Sequence, residues 1–366
     1  MERLPLFEAG DGAYAIYRIP GIVVTAAGTL LACCEARCSA RGDWGAIDLL
    51  LRRSTDTGRT WEPPQRMNRS PEPVGRNPAA VAQGLGEGGQ ACNNPLLIAD
   101  RQPGRVHFLY CVEYARCFYR VSQDDGLSWS EPRDITRALR EFQKRYPWRV
   151  CAVGPGHGIQ LSSGRLLVPV WLSPGTGGHA HRPSASASIY SDDAGLSWHA
   201  GEIILADGPV FANPSETALV ELSDGQVMAN MRTESSFQRR VTALSPDGAS
   251  AWSPLRIEQD LFEPVCFAGL VRSPEGSLLF SNPDSLSSSG PGRKRENLTV
   301  RLSTDDGLTW PAARVIEPGL AGYSDLAAGL DGSLYCLYEG GGLGGDAYAS
   351  AHLWLARFDL AWLHSG

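Results

Sequence analysis

The feature that most constrains this chain of 366 residues is an eight-residue element that occurs four times. Each copy combines Ser, Asp, Gly and Trp in a similar order. Asp hydrogen-bonds the backbone beside it, Gly adopts a positive φ, and Trp packs beneath the turn as the next strand begins. A catalytic site is needed only once, so the repetition indicates a structural turn with an aromatic anchor. The copies are STDTGRTW at Ser54, SQDDGLSW at Ser122, SDDAGLSW at Ser191 and STDDGLTW at Ser303, with a looser copy, SPDGASAW, at Ser245.

A second repeat marks the strands themselves. Gly followed two positions later by Leu or Val opens a short apolar run six times, at intervals of roughly 60 residues, which is the period of a propeller or a solenoid. Short apolar and β-branched runs bounded by turn residues predict strands. The sequence therefore predicts an all-β fold, a six-bladed β-propeller of four-stranded antiparallel blades, with residues 1–366 as a single domain. The six repeats begin at Gly28, Gly104, Gly164, Gly225, Gly276 and Gly332.

The eighth position of this second repeat indicates where the functional site lies. It is occupied by Glu35, Arg232 and Glu339 in three of the repeats. Equivalent positions of a propeller lie at equivalent heights around one axis, and charged residues at the ends of apolar strands do not serve a core. We therefore predict that these three side chains converge at one mouth of the central channel. The acidic residues of the first repeat are assigned to turns on the opposite face: Asp56, Asp124, Asp193 and Asp305.

The overall charge limits the classes of ligand. A net charge of −7 argues against a general affinity for nucleic acid or for anionic membranes. No stretch reaches the ~18–20 consecutive apolar residues that a membrane helix needs, so no membrane span is expected. The N-terminus lacks the layout of a signal peptide. We expect a cytoplasmic protein from the chain as given, or a secreted one if a signal peptide has been removed.

Cysteine and histidine usage indicates no metal or disulfide framework. The nine cysteines are odd in number and favour buried, reduced thiols. His179 and His181 lie in a Gly-rich stretch without further evident ligands, so they are assigned to a loop. No cofactor and no metal are expected.

Several motifs combine with these repeats in a fixed order along the chain. They are Arg18–Pro20 (RIP), Cys92–Pro95 (CNNP), Ala152–Leu161 (AVGPGHGIQL) and Gly322–Leu326 (GYSDL). In this ordered set the chain resembles the exo-α-sialidases, or neuraminidases, with their Asp-box repeats. The resemblance covers nearly the whole chain and implies a retaining glycoside hydrolase. Its expected partners are sialylated glycoproteins, glycolipids or oligosaccharides, from which it would remove terminal sialic acids.

The resemblance also implies roles for single residues. A sialic acid carries a carboxylate on its anomeric carbon, which the planar forks of Arg18, Arg232 and Arg295 would bind. Tyr323 would be the nucleophile, because a neutral phenol is not repelled by that carboxylate. Glu216 would act as its base, and Asp43 would protonate the leaving oxygen and later activate water. The other residues expected at the substrate-binding site are Glu339, which would hold Arg18 in place, Arg37 and Glu35.

Some assignments have alternatives. Arg293 competes with Arg295, which we prefer because it forms the family's Arg-x-Asn pattern with Asn297. A structural salt bridge explains Glu35 and Arg37 as well as a place in the site does. Two other functions fit the same motifs, namely a carbohydrate-binding propeller that has lost catalysis, and a sialidase that transfers the sugar or releases an anhydro product. Tyr146, Trp148 and Trp171 are assigned either to the pocket or to the core.

Overall fold

The computed structural model describes residues 1–40, 42–68, 72–176, 178–285 and 294–365. Strands account for most of the regular structure in these ranges, as the β-branched and aromatic runs predict. No helix among them has the length and the apolar character needed to cross a membrane. The helices are short. Pro78–Val81 and Thr136–Arg140 lie in connections between strands, and Leu360–His364 follows the last strand; 3₁₀ turns lie at Glu141–Lys144 and Leu343–Gly345.

Four antiparallel sheets follow one another along the chain, and each is built from strands that are consecutive in sequence. Such meanders need only hairpin connections, which the Gly-containing turns supply. The first sheet contains β2 (Ile16–Val24), β3 (Leu30–Arg37), β4 (Ile47–Ser54) and β5 (Gln65–Arg66), and the second β6 (Cys92–Ala99), β7 (Val106–Val112), β8 (Arg116–Ser122) and β9 (Arg133–Asp134). The third contains β10 (Val150–Val153), β11 (Ile159–Gln160), β12 (Leu166–Ser173), β13 (Ala185–Ser191) and β14 (His199–Ala206), and the fourth β15 (Thr217–Glu221), β16 (Val227–Met231), β17 (Arg239–Ser245) and β18 (Arg256–Phe262).

The fifth sheet has seven strands and joins the two ends of the chain. The long strand β22 (Ala312–Ala328) pairs with β21 (Glu296–Ser303) as far as Leu320 and with β23 (Leu334–Gly340) from Ala321 onward. The N-terminal strand β1 (Glu2–Glu8) completes the far edge, so the first strand and the last strand of the chain are hydrogen-bonded to each other. The remaining strands are β19 (Gly269–Arg272), β20 (Leu278–Pro283) and β24 (His352–Phe358).

The sheets are arranged in a closed ring. Strand β2 packs against β6, β6 against β10 and β11, β11 against β15, β15 against β19, β19 against β22, and β22 against β2. The buried apolar side chains fill the spaces between neighbouring sheets, as in other radial β folds. The architecture is therefore all-β and propeller-like, in agreement with the sequence. The strands form five sheets, so a ring of six separate blades stays a prediction.

The four copies of the eight-residue element share one hydrogen-bond pattern, which confirms their assignment to turns. In the last copy the Asp305 carboxylate accepts from the Ser303 hydroxyl at 2.7 Å and from the Thr309 backbone N–H at 2.9 Å. The Ser303 hydroxyl oxygen in turn accepts from the Gly307 N–H at 2.8 Å. Equivalent bonds occur around Asp56, Asp124 and Asp193.

We expect Asp305→Ala to lower the free energy of unfolding by about 1 kcal/mol, because it removes these turn hydrogen bonds. The bonds from Thr309 lower the pKa of Asp305 to about 2. Its ionised form therefore stabilises the fold fully above the unfolded-state pKa of about 3.9 and loses that effect as the pH falls toward 2. Urea denaturation of both proteins at several pH values measures this. A stability difference that grew on acidification would contradict the assignment.

Candidate active site

Six of the predicted site residues line one pocket of about 250 Å³ at the end of the ring. The pocket brings together segments that are far apart in sequence, which a ring of inner strands makes possible. The turn aspartates of the eight-residue repeat are not among its lining residues. The six are Arg18, Asp43, Glu216, Arg232, Arg295 and Tyr323.

Arg18 reaches the pocket from a bulge in β2. The ladder to β3 is interrupted between Arg18 and Gly21, and Ile19 has a φ of 58°, a conformation that β-branched residues rarely adopt. The buried carboxylate of Glu339 holds this bulge. It accepts from Arg18 Nε at 3.0 Å, from Arg18 Nη2 at 3.1 Å and from the Ile19 backbone N–H at 3.0 Å. These bonds leave Arg18 Nη1 to face the pocket.

Glu35 holds an irregular backbone segment of the second sheet, as Glu339 holds the bulge in the first sheet. Its carboxylate accepts from the backbone N–H of Asn94 at 2.8 Å, and Asn94 has a φ of 52°. It also accepts from Arg37 Nε at 2.9 Å and from Arg37 Nη2 at 2.6 Å. Glu35, Arg37 and Glu339 thus lie behind the pocket wall and hold residues that line it. Glu339 holds Arg18 as expected, and Glu35 and Arg37 form the salt bridge that was their alternative, while a role of these residues in substrate binding stays a prediction.

Asp43 lies at the pocket mouth on the loop that follows β3. Its side chain is 40% exposed, and its carboxylate is 3.0 Å from Arg37 Nη1 and 3.9 Å from Arg18 Nη1. Partial enclosure raises the pKa of Asp43, but the surrounding positive charges, chiefly that of Arg37, outweigh it and hold the pKa well below its usual value. Asp43 is therefore ionised near neutral pH in the free protein.

Tyr323 and Glu216 form a buried hydrogen-bonded pair. The Tyr323 hydroxyl donates to the Glu216 carboxylate, and Arg232 Nη1 donates to the Tyr323 oxygen at 2.8 Å and to the other Glu216 oxygen. Burial, followed by the negative charge of Glu216, raises the pKa of Tyr323, although the nearby arginines oppose this. The phenol is therefore protonated, and Glu216 is the group in position to accept its proton.

Two arginines in the pocket have guanidinium nitrogens without an acceptor. Arg295 donates from Nη2 to the Val265 carbonyl at 2.7 Å, but its Nε and Nη1 are buried and have no hydrogen-bond partner among the described residues. The same holds for Nε of Arg232. The Arg295 guanidinium instead lies 5.0 Å from the ring centroid of Tyr323 and 4.3 Å from that of Tyr348. Buried donors without acceptors are costly, so this geometry favours binding of an anion.

One wall of the pocket is aromatic, and the sequence analysis largely missed it. His181 packs against Trp44, Tyr114 and Trp171, with ring centroids 5.0–5.6 Å apart. Burial lowers the pKa of His181 to about 4, so its ring is neutral near pH 7. Trp171 lines the pocket, whereas Trp148 belongs to the core and donates to the Leu139 carbonyl at 2.8 Å. Trp171 was therefore the one member of this wall that the sequence named as a pocket candidate, whereas His181 was assigned to a loop without a role.

Three further expectations from the sequence concern a metal site, the choice between Arg293 and Arg295, and the state of the cysteines. Among the described residues, no group of three or more His, Cys, Asp or Glu side chains is arranged to hold a metal ion. Arg293 lies outside the described residues, so its competition with Arg295 stays open. The nine cysteines are free, and all except Cys38 are buried.

Comparison with known proteins agrees with the fold and with the resemblance drawn from the sequence motifs. The family model of the BNR repeat-like domain matches residues 74–336. A sialidase of Micromonospora viridifaciens is 32% identical over 97% of this chain, which spans about half (53%) of that relative. Mouse sialidase-2 is 30% identical, with 93% of this chain and 92% of the relative aligned.

Solved structures show the same architecture. The Hadza microbial sialidase Hz136 superposes with a TM-score of 0.76 at 25% identity, covering 99% of this chain and 69% of that one. The intramolecular trans-sialidase of Ruminococcus gnavus superposes with a TM-score of 0.75 at 17% identity, covering 98% and 97%. The class that this fold and these relatives define is a glycoside hydrolase. The chain belongs to the sialidase family.

We expect Glu216→Gln to lower the pKa of Tyr323, because the substitution removes a negative charge that raises it while the arginines remain. The ¹³Cζ resonance of labelled tyrosine, assigned with Tyr323→Phe, measures this titration. In the Gln variant the resonance of Tyr323 begins to titrate at a lower pH than in the wild type. A resonance that titrated at the same or a higher pH would show that Glu216 does not act on the phenol.

Proposed function

We propose that the protein is a retaining exo-α-sialidase, which hydrolyses terminal sialic acids of glycoproteins, glycolipids or oligosaccharides. The observation that carries this proposal is the set of guanidinium nitrogens of Arg295 and Arg232 that have no acceptor among the described residues and are buried beside the Tyr323–Glu216 pair. A sugar that carries its carboxylate on the anomeric carbon would supply the missing acceptors. It would also bring that carbon next to a phenol whose proton already has an acceptor.

The three arginines would bind the carboxylate of the sugar. Arg18 is oriented by Glu339, and Arg232 by Glu216, so both forks are held before any ligand arrives. Arg295 is fixed by the Val265 carbonyl and by two aromatic faces. A guanidinium whose orientation is already fixed loses little conformational entropy when it forms paired hydrogen bonds to a carboxylate.

The reaction would proceed by two displacements at the anomeric carbon. In the first, Tyr323 Oη bonds to that carbon while its proton passes to Glu216, and the bond to the leaving oxygen breaks as Asp43 protonates that oxygen. In the second, Asp43 takes a proton from water, the water oxygen bonds to the anomeric carbon, and Tyr323 leaves and regains its proton from Glu216. Two inversions give net retention.

Substrate binding would itself prepare Asp43 as an acid. In the free protein the arginines hold the pKa of Asp43 low, so the carboxyl is ionised. A carboxylate on Arg18 would cancel part of this positive potential and raise the pKa of Asp43. Its partial exposure at the pocket mouth leaves it accessible to the leaving group.

The ring would contain six blades in one domain. The seven-stranded sheet is divided where β22 changes its partner between Leu320 and Ala321. This division supports a fifth blade of β19, β20, β21 and the first half of β22. A sixth blade would then contain the second half of β22 together with β23, β24 and β1.

We expect Tyr323→Phe to lower kcat on an aryl α-sialoside by about 10³-fold or more, because the covalent route loses its nucleophile. Tyr335→Phe is the matched control, since Tyr335 is a buried tyrosine of β23 outside the pocket. NMR of the wild-type reaction with sialyllactose should show the α-anomer of free sialic acid first. An inverted first product, or full activity of the Phe variant, would reject the covalent step, and an anhydro product would indicate intramolecular transfer. Binding without turnover by the wild type would indicate the non-catalytic alternative.

We expect the effect of Asp43→Asn to depend on the leaving group. A lactose leaving group needs a proton, so turnover of sialyllactose should fall by about 10²–10⁴-fold. An aryl sialoside releases a stabilised phenolate, and its turnover should fall much less. Parallel kcat/KM measurements on the two substrates make the comparison. Equal losses on both would mean that Asp43 is not the proton donor.

A further inference from the structure

Two buried carboxylates connect β2 to β22, its neighbour in the ring. Glu339 does so at the pocket end, where it accepts from the Ile19 N–H at 3.0 Å and from the Tyr323 N–H at 3.1 Å. Asp325 does so further along both strands. Its Oδ2 accepts from the Ile22 N–H at 2.9 Å, and its Oδ1 accepts from the Leu326 N–H at 3.0 Å. Asp325 has no role in the proposed chemistry, yet it is 1% exposed.

These carboxylates bracket the two irregular segments that carry Arg18 and Tyr323. The ladder between β2 and β3 is interrupted from Arg18 to Gly21, and the ladder between β22 and β23 from Ala321 to Ser324. Bulges of this kind re-aim a side chain but leave backbone donors outside the ladder. Glu339 binds one end of each irregular segment, and Asp325 binds the residue just beyond the other end in β2. The relative position of the two strands therefore depends on both carboxylates.

His157 joins Asp325 to a third part of the ring. Its Nδ1 lies 2.8 Å from Asp325 Oδ1, and its backbone forms a bridge to Leu97 of β6. Burial lowers the pKa of His157, but the Asp325 carboxylate outweighs this and raises it above its usual value. The pair is thus charge-assisted and enclosed, the setting in which a hydrogen bond is strongest.

The glycines around His157 show how closely this segment approaches the two strands. A Cβ on Gly21 would lie 2.7 Å from the Gly156 carbonyl oxygen. A Cβ on Gly156 would lie 2.5 Å from the Phe267 ring and 3.2 Å from Asp325 Oδ1. A larger residue at Gly21 would displace the backbone of Gly156, and one at Gly156 would displace the Phe267 ring. The segment that follows the RIP motif at Gly21 and the segment around Gly156 are therefore in direct contact.

We propose that Asp325 and His157 are positioning residues for the proposed reaction, holding the strand of Tyr323 and the strand of Arg18 at the separation that the anomeric centre requires. The kinetic part of this inference rests on the proposed sialidase function. Neither residue touches the substrate. Both act through the backbone of β2 and β22, so their loss should affect the geometry of the transition state more than substrate binding.

The test compares Asp325→Asn with a matched control, Asp100→Asn. Asp100 is also a buried aspartate that pairs with a buried histidine, His107, at 3.0 Å, and it lies outside the pocket. Both variants should unfold at a lower temperature than the wild type. Only Asp325→Asn should lower kcat on an aryl sialoside, by about 10- to 100-fold for a displacement of up to about 1 Å, with a much smaller change in KM.

Hydrogen–deuterium exchange gives a readout that needs no turnover. Peptides that cover residues 16–24 and 321–328 should exchange faster in Asp325→Asn and remain unchanged in Asp100→Asn. The donor role of His157 is tested by His157→Asn, whose side-chain amide can replace Nδ1, against His157→Ala. The Asn variant should retain most of kcat and of the protection, and the Ala variant should lose both.

The outcomes separate this inference from the proposed function. If wild-type protein turns over a sialoside but Asp325→Asn behaves like Asp100→Asn in kcat and exchange, the positioning role is wrong. If wild-type protein turns over no sialoside, the proposed function fails and the exchange data alone decide whether the pair holds the two strands. Unchanged exchange in both segments would overturn the inference in either case.

Discussion

The buried carboxylate of Glu339 is the interaction on which the candidate site depends. It accepts four hydrogen bonds, two from Arg18 and one each from the backbones of Ile19 and Tyr323. A carboxylate that loses its hydration needs such a set of donors to remain ionised. Removing it would break the buried ion pair of Arg18 and leave the Asp43 carboxylate at 3.9 Å as the nearby negative charge, and breaking a buried pair typically costs about 3–5 kcal/mol. Gly322 lies so close that any side chain there would overlap the carboxylate. One acidic residue therefore fixes both the arginine and the phenol.

The charges of the pocket explain how a chain with a net charge of −7 can attract an anion. Three arginines each face a glutamate: Arg18 with Glu339 and Arg232 with Glu216 in the pocket, and Arg37 with Glu35 behind its wall. Arg295 differs, because its contacts among the described residues are a carbonyl oxygen and aromatic rings. Its positive charge is not compensated by a carboxylate in that part of the chain. A local field of this kind acts over a few ångströms, well within one Debye length, and the overall charge matters less.

The parts of the structure that repeat were predictable from the sequence itself, whereas the site residues that do not repeat were named only through the family resemblance, and most of their contacts were not predictable. The turn around Asp305 is local, so its hydrogen bonds follow from residue types. The shared offset of Glu35 and Glu339 correctly indicated a shared environment, since each binds a backbone N–H of the next inner strand. The aromatic wall around His181 combines Trp44, Tyr114 and Trp171 from separate segments of the chain, and it had no second copy to reveal it. The low pKa of Asp43 depends chiefly on Arg37 of the preceding strand, and the distance between these two side chains is set by a loop conformation that the residue types did not reveal.

The RIP motif also acquires a physical explanation that sequence alone did not provide. Ile19 adopts a positive φ, which for a β-branched residue costs on the order of 1–3 kcal/mol, and such strain persists only where the surroundings enforce it. Proline at position 20 has no N–H, so the bulge contains one donor fewer that would need an acceptor. The N–H groups of Ile19 and Ile22 on either side are taken by Glu339 and Asp325. The motif is thus a strained bulge whose polar groups are satisfied from β22 and β23, and its result is an arginine aimed at the pocket. Because the strain is offset by residues some 300 positions away, the bulge can form only when the ring is closed, which couples assembly of the site to completion of the fold.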